Sequence, residues 1–109
     1  MGVHQIRKIE LSLSFDEVFN LCISSLDIVT RCKIKNLDKS NGIIEASAGI
    51  SWKTWGDKIS IKIHKKEENL MGIEISSKPA LSTTIIDYGK NKANVEKILC
   101  HLKEGSEKN

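Results

Sequence analysis

Residues 57–76 read DKISIKIHKKEENLMGIEIS, and the spacing of the apolar residues in this stretch decides the fold class. Two runs in which apolar and polar residues alternate are separated by a polar turn at 65–69. Alternation with a period of two is typical of a strand that buries one face, so the stretch predicts an antiparallel hairpin with one apolar side. The apolar positions of this hairpin are Ile59, Ile61, Ile63, Met71, Ile73 and Ile75.

The same alternation extends toward the N-terminus. It predicts a first strand over 3–13, another strand over 28–37, a turn at 38–42 that ends in Asn-Gly, and a long strand that starts at Ile43 and bends at Gly49. In the strand over 28–37, one face is predicted to carry Ile28, Thr30, Cys32 and Ile34, and the solvent face Val29, Arg31, Lys33 and Lys35. The core-facing residues predicted for the long strand are Ile44, Ala46, Ala48, Ile50 and Trp52.

Two helices are predicted, and they are the only elements available to cover the apolar side of the sheet. The first, over 15–26, begins with a capping box in which Ser14 and Glu17 exchange side-chain and backbone hydrogen bonds. The second, over 90–103, follows a short edge strand predicted over 81–86. Its apolar stripe consists of Val95, Ile98, Leu99 and Leu102.

The order of elements is therefore β-α-β-β-β-β-(β)-α, where the bracketed strand is the short edge strand. This order predicts an α+β fold with one curved antiparallel sheet and the C-terminal helix packed on one face. It is similar in topology to TATA-binding-protein-like and helix-grip folds, in which a curved antiparallel sheet wraps a long C-terminal helix. We expect a single domain over 1–104 and a disordered tail over 105–109.

The composition excludes several classes of protein. The chain has 109 residues and a net charge of +3, and no apolar run reaches the roughly 20 residues that cross a bilayer, so no membrane association is expected. Cys22, Cys32 and Cys100 form no CxxC pair, and free thiols predict the reducing cytoplasm. No spacing typical of a metal site, a phosphate loop or a nucleophile–base pair is found, so the expectation is no metal, no cofactor and no enzymatic activity.

One motif near the C-terminus joins a strand to the last helix. Residues 76–78 read SSK, and residues 87–92 read DYGKNK. The segment resembles the C-terminal signature of a family of small bacterial domains of unknown function, in which a serine-rich and basic strand leads into such a turn and a final helix. In a structural interpretation, Asn91 caps the turn or the helix. In a functional interpretation, the start of the helix binds an anion with Lys90 and Lys92.

The leading hypothesis is a non-enzymatic small binding or accessory domain with an apolar ligand cavity between the sheet and the last helix. The chain has two Trp, two Phe and one Tyr, which is a small aromatic supply for a sheet that wraps a long helix. The shortage leaves room for a small apolar ligand or for a homodimer that completes the core. The lining residues proposed are Ile50, Trp52, Ile61, Ile73 and Leu99, with Trp55 and Tyr88 near the mouth.

Two alternatives stay open at this point. Basic residues are concentrated on the predicted outer face of the sheet, which therefore favours nucleic acid or another anionic partner, although an ordinary solvated surface explains the same residues. A self-associating structural domain is the other alternative. The residues proposed for the anion site are Arg31, Lys33, Lys35, Lys53, Lys58, Lys62, Lys90 and Lys92.

Overall fold

The computed structural model describes residues 4–49, 56–81 and 89–107. Within these ranges the chain forms five strands and two helices, and the predicted α+β class is confirmed. Most of the edge strand expected over 81–86 lies outside the described residues. The elements are β1 (Gln5–Leu11), α1 (Phe15–Ser25), β2 (Lys33–Asp38), β3 (Ile43–Ala48), β4 (Asp57–Glu67), β5 (Leu70–Pro79) and α2 (Lys90–Glu107).

The five strands form one antiparallel sheet in the spatial order β1-β5-β4-β3-β2. In the central pair of strands, Ile61 is opposite Ile75 and Ile63 is opposite Ile73. Residues two apart on a strand point to the same face, so Ile61 and Ile73 lie on one side of the sheet. Both are buried, with exposed fractions of 0% and 1%. The predicted apolar face of the central hairpin is therefore confirmed.

Both helices cover this apolar face, as the sequence predicts. The capping box at the start of α1 is present, because Ser14 Oγ accepts the Glu17 backbone N–H at 3.2 Å and Glu17 Oε1 accepts the Ser14 backbone N–H at 3.1 Å. α1 contacts α2, β4 and β5, and α2 also contacts β5 and β1. We call the opposite, helix-free side of the sheet the outer face. Side chains buried between the helices and the sheet include Val18, Phe19, Cys22, Ile44, Ile59, Met71, Ile75, Val95, Ile98 and Leu102.

The strand predicted over 28–37 begins only at Lys33, and the predicted faces before it are wrong. The backbone N–H groups of residues 26–29 donate to carbonyl groups three residues earlier at 3.1 to 3.3 Å, so the chain leaves α1 in tight turns rather than as a strand. As a result, Val29 is 3% exposed and Ile28 is 47% exposed. Arg31 lies in the last turn before β2, with a φ of 47°.

The second helix is longer than the sequence predicts. α2 continues to Glu107, whereas the expected helix ends at 103 and the expected disordered tail begins at 105. Glycine favours a helix end, but Leu21 of α1 occupies the space that a Cβ atom at Gly105 would take. The close contact between the two helices at this glycine is the physical reason why the helix continues.

Candidate functional site

Four polar side chains are buried together where α2 begins. Asp57 is 4% exposed, Ser77 and Asn91 are 0% exposed, and Asn94 is 8% exposed. We call these four residues the polar cluster. They occupy one end of the layer between the sheet and α2, and the rest of that layer is lined by aliphatic side chains.

The sequence places the polar cluster in positions that face the core. Asp57 continues the buried side of β4, and Ser77 continues the buried side of β5. On α2, Asn91 and Asn94 have the i, i+3 spacing of one helix face and precede the apolar stripe of the same face. Chain geometry alone therefore points all four side chains into the layer between the sheet and the helix.

Hydrogen bonds connect the members of the polar cluster to one another. Ser77 Oγ donates to Asn91 Oδ1 at 2.6 Å. The Asn94 Nδ2 group donates to Asp57 Oδ2 at 3.0 Å and to Ser77 Oγ at 3.2 Å. Asp57 and Asn91 also make further interactions. A buried polar atom without a partner costs about 1–3 kcal/mol, so these bonds make the cluster tolerable inside an apolar layer.

The polar cluster brings together a carboxylate, two amides and a hydroxyl. Sites for small molecules are mostly apolar and contain a few convergent polar groups that orient the ligand. Buried at the end of an aliphatic layer, the polar cluster has this composition. Its carboxylate can accept a hydrogen bond from a hydroxyl or amino group, and its amides can both donate and accept.

Sequence reasoning missed three members of the polar cluster. Asp57, Ser77 and Asn94 are not among the site residues that the sequence predicts. Asn91 was interpreted as a cap, whereas its side chain is bonded to Ser77 on the sheet. The available signal was the register: a polar residue at a position that continues a buried alternation predicts a buried polar group.

The residues proposed to line an apolar cavity lie partly in the described core. Ile61 and Ile73 are fully buried beneath the helices, and Leu99 on α2 is half-buried. The positions of the other four lie outside the described residues; they are Ile50, Trp52, Trp55 and Tyr88.

The cationic residues proposed for an anion site are not all brought together. Arg31 is in the turn before β2, and Lys53 lies outside the described residues. Lys90 and Lys92 are exposed on α2, which is on the other side of the sheet from the outer face. Four of the cationic residues proposed for the anion site are exposed on strands of the sheet, namely Lys33, Lys35, Lys58 and Lys62.

A groove of about 550 Å³ runs along the outer face of the sheet. It is lined by three of the proposed lysines, Lys35, Lys58 and Lys62. It also contains Lys78 of β5, which the sequence-based set omitted. The groove therefore contains three lysines of the proposed anion site and one further lysine, Lys78.

The edge strand β2 carries the feature that self-association requires. Ile34 is opposite Ala46 and Leu37 is opposite Ile44, so both side chains are on the helix side of the sheet. They are nevertheless 38% and 50% exposed. An edge strand with exposed apolar side chains is a template for pairing with another chain.

Burial restrains the thiol chemistry of Cys22 and Cys32, and His101 is close enough to Ser24 for a hydrogen bond. Burial raises the pKa of the Cys22 thiol to about 12, and burial with the nearby Asp27 charge also raises the pKa of Cys32. Ser24 Oγ lies 2.8 Å from His101 Nε2 and 3.0 Å from the Leu21 carbonyl oxygen. Which of the two groups, hydroxyl or imidazole, donates depends on the tautomer of the imidazole, and in either case the contact joins α1 to α2.

Neither a metal cluster nor a spanning helix is found among the residues that the structure describes. Within 4–49, 56–81 and 89–107, no group of three His, Cys, Asp or Glu side chains is arranged to hold a metal ion. Within the same ranges, neither helix has the length and apolar character needed to cross a membrane.

Comparison with known proteins identifies the architecture. No family model and no curated protein sequence matches the chain. XoxI from Bacillus cereus has a TM-score of 0.66 at 13% identity, over 98% of this chain and 94% of that one. The Aha1 dimer from Colwellia psychrerythraea has a TM-score of 0.64 at 14% identity, over 95% and 96%. Norcoclaurine synthase from Thalictrum flavum, in complex with dopamine and hydroxybenzaldehyde, has a TM-score of 0.55 at 11% identity, over 93% and 86%.

The chain has the helix-grip fold. This result confirms the topological resemblance, and identities this low show the fold alone. An uncharacterised protein from a Bacillus species shares the fold, but no family model supports the bacterial family suspected from residues 76–78 and 87–92.

The comparisons correct the expectation that the chain is not an enzyme. Norcoclaurine synthase and aromatase/cyclase proteins share the helix-grip fold with this chain. The fold therefore supports catalysis, and the lack of a familiar motif in the sequence does not exclude it.

Proposed function

We propose that the protein is a small-molecule-binding domain that holds an apolar molecule between the sheet and the beginning of α2. The observation that carries this proposal is the polar cluster, buried at one end of an otherwise aliphatic layer. Its groups orient a ligand hydroxyl or amino group, while the surrounding aliphatic side chains take up the apolar part.

The chain order supplies the aromatic part of the proposed site. Trp55 precedes Asp57 by two residues, and Tyr88 precedes Asn91 by three. Gly56, the residue after Trp55, lies beside Ala80 at the end of β5, because the Ala80 backbone N–H donates to the Gly56 carbonyl at 2.9 Å. We therefore retain Ile50, Trp52, Trp55 and Tyr88 as proposed ligand contacts, together with Ile61, Ile73 and Leu99.

The comparisons support this type of function without identifying the ligand. The norcoclaurine synthase structure contains dopamine and hydroxybenzaldehyde, which are small ring compounds with hydroxyl groups or an amino group. Such compounds combine an apolar ring with the hydrogen-bonding groups that the polar cluster is able to match.

A tryptophan fluorescence titration tests the proposal. The probes are dopamine, hydroxybenzaldehyde and the apolar dye 1-anilinonaphthalene-8-sulfonate, and we expect a saturable change with at least one of them. Asp57→Asn keeps the shape of the side chain but removes its charge, and it is expected to weaken binding of the amine dopamine roughly tenfold, since a hydrogen bond to a charged group contributes about 1.5–3 kcal/mol. Ser60→Ala on β4 is the matched control, because Ser60 faces the groove of the outer face.

Two outcomes contradict the proposal. One is the absence of a saturable signal with every probe. The other is an equal loss of affinity in Asp57→Asn and Ser60→Ala. Thermal unfolding of each variant shows whether the fold is intact.

A further inference from the structure

A row of cationic side chains crosses the outer face at right angles to the strands. In the register of the sheet, Lys33 of β2 is opposite Ser47 of β3, and Ser47 is opposite Lys58 of β4. Lys58 is in turn opposite Lys78 of β5. We call Lys33, Lys58 and Lys78 the cationic row. At its β1 end, His4 precedes the residue paired with Ser77 and lines the same groove as Lys78.

The cationic row lacks the carboxylates that balance other rows of the outer face. Four residues farther along β4, Lys62 is opposite Glu74, and Glu74 is opposite Lys8 on β1 with 4.0 Å between the charged groups. By contrast, no member of the cationic row forms an ion pair with any part of the chain that the structure describes. Like charges directly opposite each other destabilise a sheet, so Lys58 and Lys78 weaken the fold where they meet.

Hydroxyl groups lie beside the cationic row in the groove of about 550 Å³. Ser47 lies between Lys33 and Lys58 in the register of the sheet, and Ser60, two residues farther along β4, is opposite Ser76. Lysine ammonium groups and serine hydroxyls are the side chains that commonly bind phosphate oxygens along a nucleic acid backbone. The groove therefore presents donors of both kinds to an anion, and it lies on the opposite side of the sheet from the polar cluster.

We propose that the outer face binds single-stranded nucleic acid through its phosphates, with the strand lying across the sheet along the cationic row. Three strand spacings separate Lys33 from Lys78, about 14 Å in total, which allows several phosphates to be contacted at once. A single strand of nucleic acid is narrow enough to enter the groove and reach the serine hydroxyls. A planar membrane surface, by contrast, contacts only the rim of the groove. Because the proposed contacts are to phosphates rather than to base edges, binding is expected to be independent of base sequence.

Fluorescence anisotropy with a labelled oligothymidylate of about twelve nucleotides tests this proposal. If three phosphates are neutralised, the logarithm of the affinity falls with the logarithm of salt concentration with a slope of about −2. A change from about 50 to about 200 mM NaCl then weakens binding about 18-fold.

Charge-removing variants locate the binding surface. Lys58→Gln combined with Lys78→Gln is expected to weaken binding roughly tenfold at low salt and to reduce the steepness of the salt dependence by about 1.4. The matched control is Lys97→Gln combined with Lys103→Gln, which removes the same charge from exposed positions of α2 and is expected to leave affinity unchanged. If the cationic row has a binding role rather than a structural one, removing the facing positive charges of Lys58 and Lys78 does not lower the Tm of the protein.

Three results would overturn the inference: no binding by the unaltered protein at low salt, an equal loss in the α2 control, or tighter binding to phosphatidylserine vesicles than to the oligonucleotide. The fluorescence titration tests small-molecule binding at the polar cluster, which lies on the other side of the sheet. Failure of either proposal therefore leaves the other one testable.

Discussion

Replacement of Asn94 by leucine is the most informative perturbation of the polar cluster. The change removes the donor that bonds to Asp57 Oδ2 at 3.0 Å and to Ser77 Oγ at 3.2 Å. A lost hydrogen bond to a charged group costs about 1.5–3 kcal/mol and a lost neutral one about 1 kcal/mol. Burial of the larger, apolar leucine side chain stabilises the folded state by about 1 kcal/mol. We therefore expect the free energy of unfolding to fall by about 1.5–3 kcal/mol.

Urea unfolding followed by circular dichroism measures this loss. For a domain of this size, the same change corresponds to a decrease in Tm of roughly 7–13 °C. Glu96→Leu provides the control, because Glu96 is an exposed residue of the same helix and its replacement is expected to change stability by less than about 0.5 kcal/mol. A loss below about 0.5 kcal/mol for Asn94→Leu would refute the argument that the polar cluster is a buried, mutually bonded network.

Three further predictions concern packing, backbone geometry and thiol reactivity. Ile44→Ala removes a fully buried side chain and is expected to lower the free energy of unfolding, measured in urea, by about 2–5 kcal/mol. Leu37→Thr, at a position that is 50% exposed, is expected to lower it by less than about 0.5 kcal/mol. Equal losses in the two variants would contradict the burial of β3 relative to the edge strand β2. Gly42→Ala is expected to destabilise by at least about 2 kcal/mol, because φ is +66° and the Ile63 carbonyl oxygen occupies the position of a Cβ atom; unchanged stability would disprove this turn geometry. In a thiol-labelling experiment on the native protein, exposed Cys100 is expected to react, whereas Cys22, whose pKa burial raises to about 12, stays protonated and unreactive until the protein unfolds; labelling of Cys22 before unfolding would contradict its burial.

The sheet has two faces with different proposed roles, and this division comes from a period of two. Along β4, Asp57 points into the helix-covered layer while Lys58 points into the groove of the outer face. On β5, Ser77 and Lys78 are divided in the same way. One pair of adjacent strands therefore supplies two of the four residues of the polar cluster and two of the three residues of the cationic row, and variants of neighbouring residues separate the two functions experimentally.

Most of the fold was predictable because its signals are local. The isoleucine alternation in β4 and β5 and the capping box of Ser14 and Glu17 depend on residues only a few positions apart. The strand predicted over 28–37 failed because hydrogen bonds that continue from the end of α1 outweighed the β propensity of Ile28 and Val29.

By itself, the sequence determined the order of the strands and helices and the apolar side of β3, β4 and β5, since these properties follow from local spacing. Only the tertiary structure decided which distant residues meet. Asp57 and Asn94 are 37 positions apart, and their contact depends on where α2 crosses the sheet. The cationic row likewise depends on the register of three strand pairs, which long-range packing selects and the spacing within any single strand does not specify.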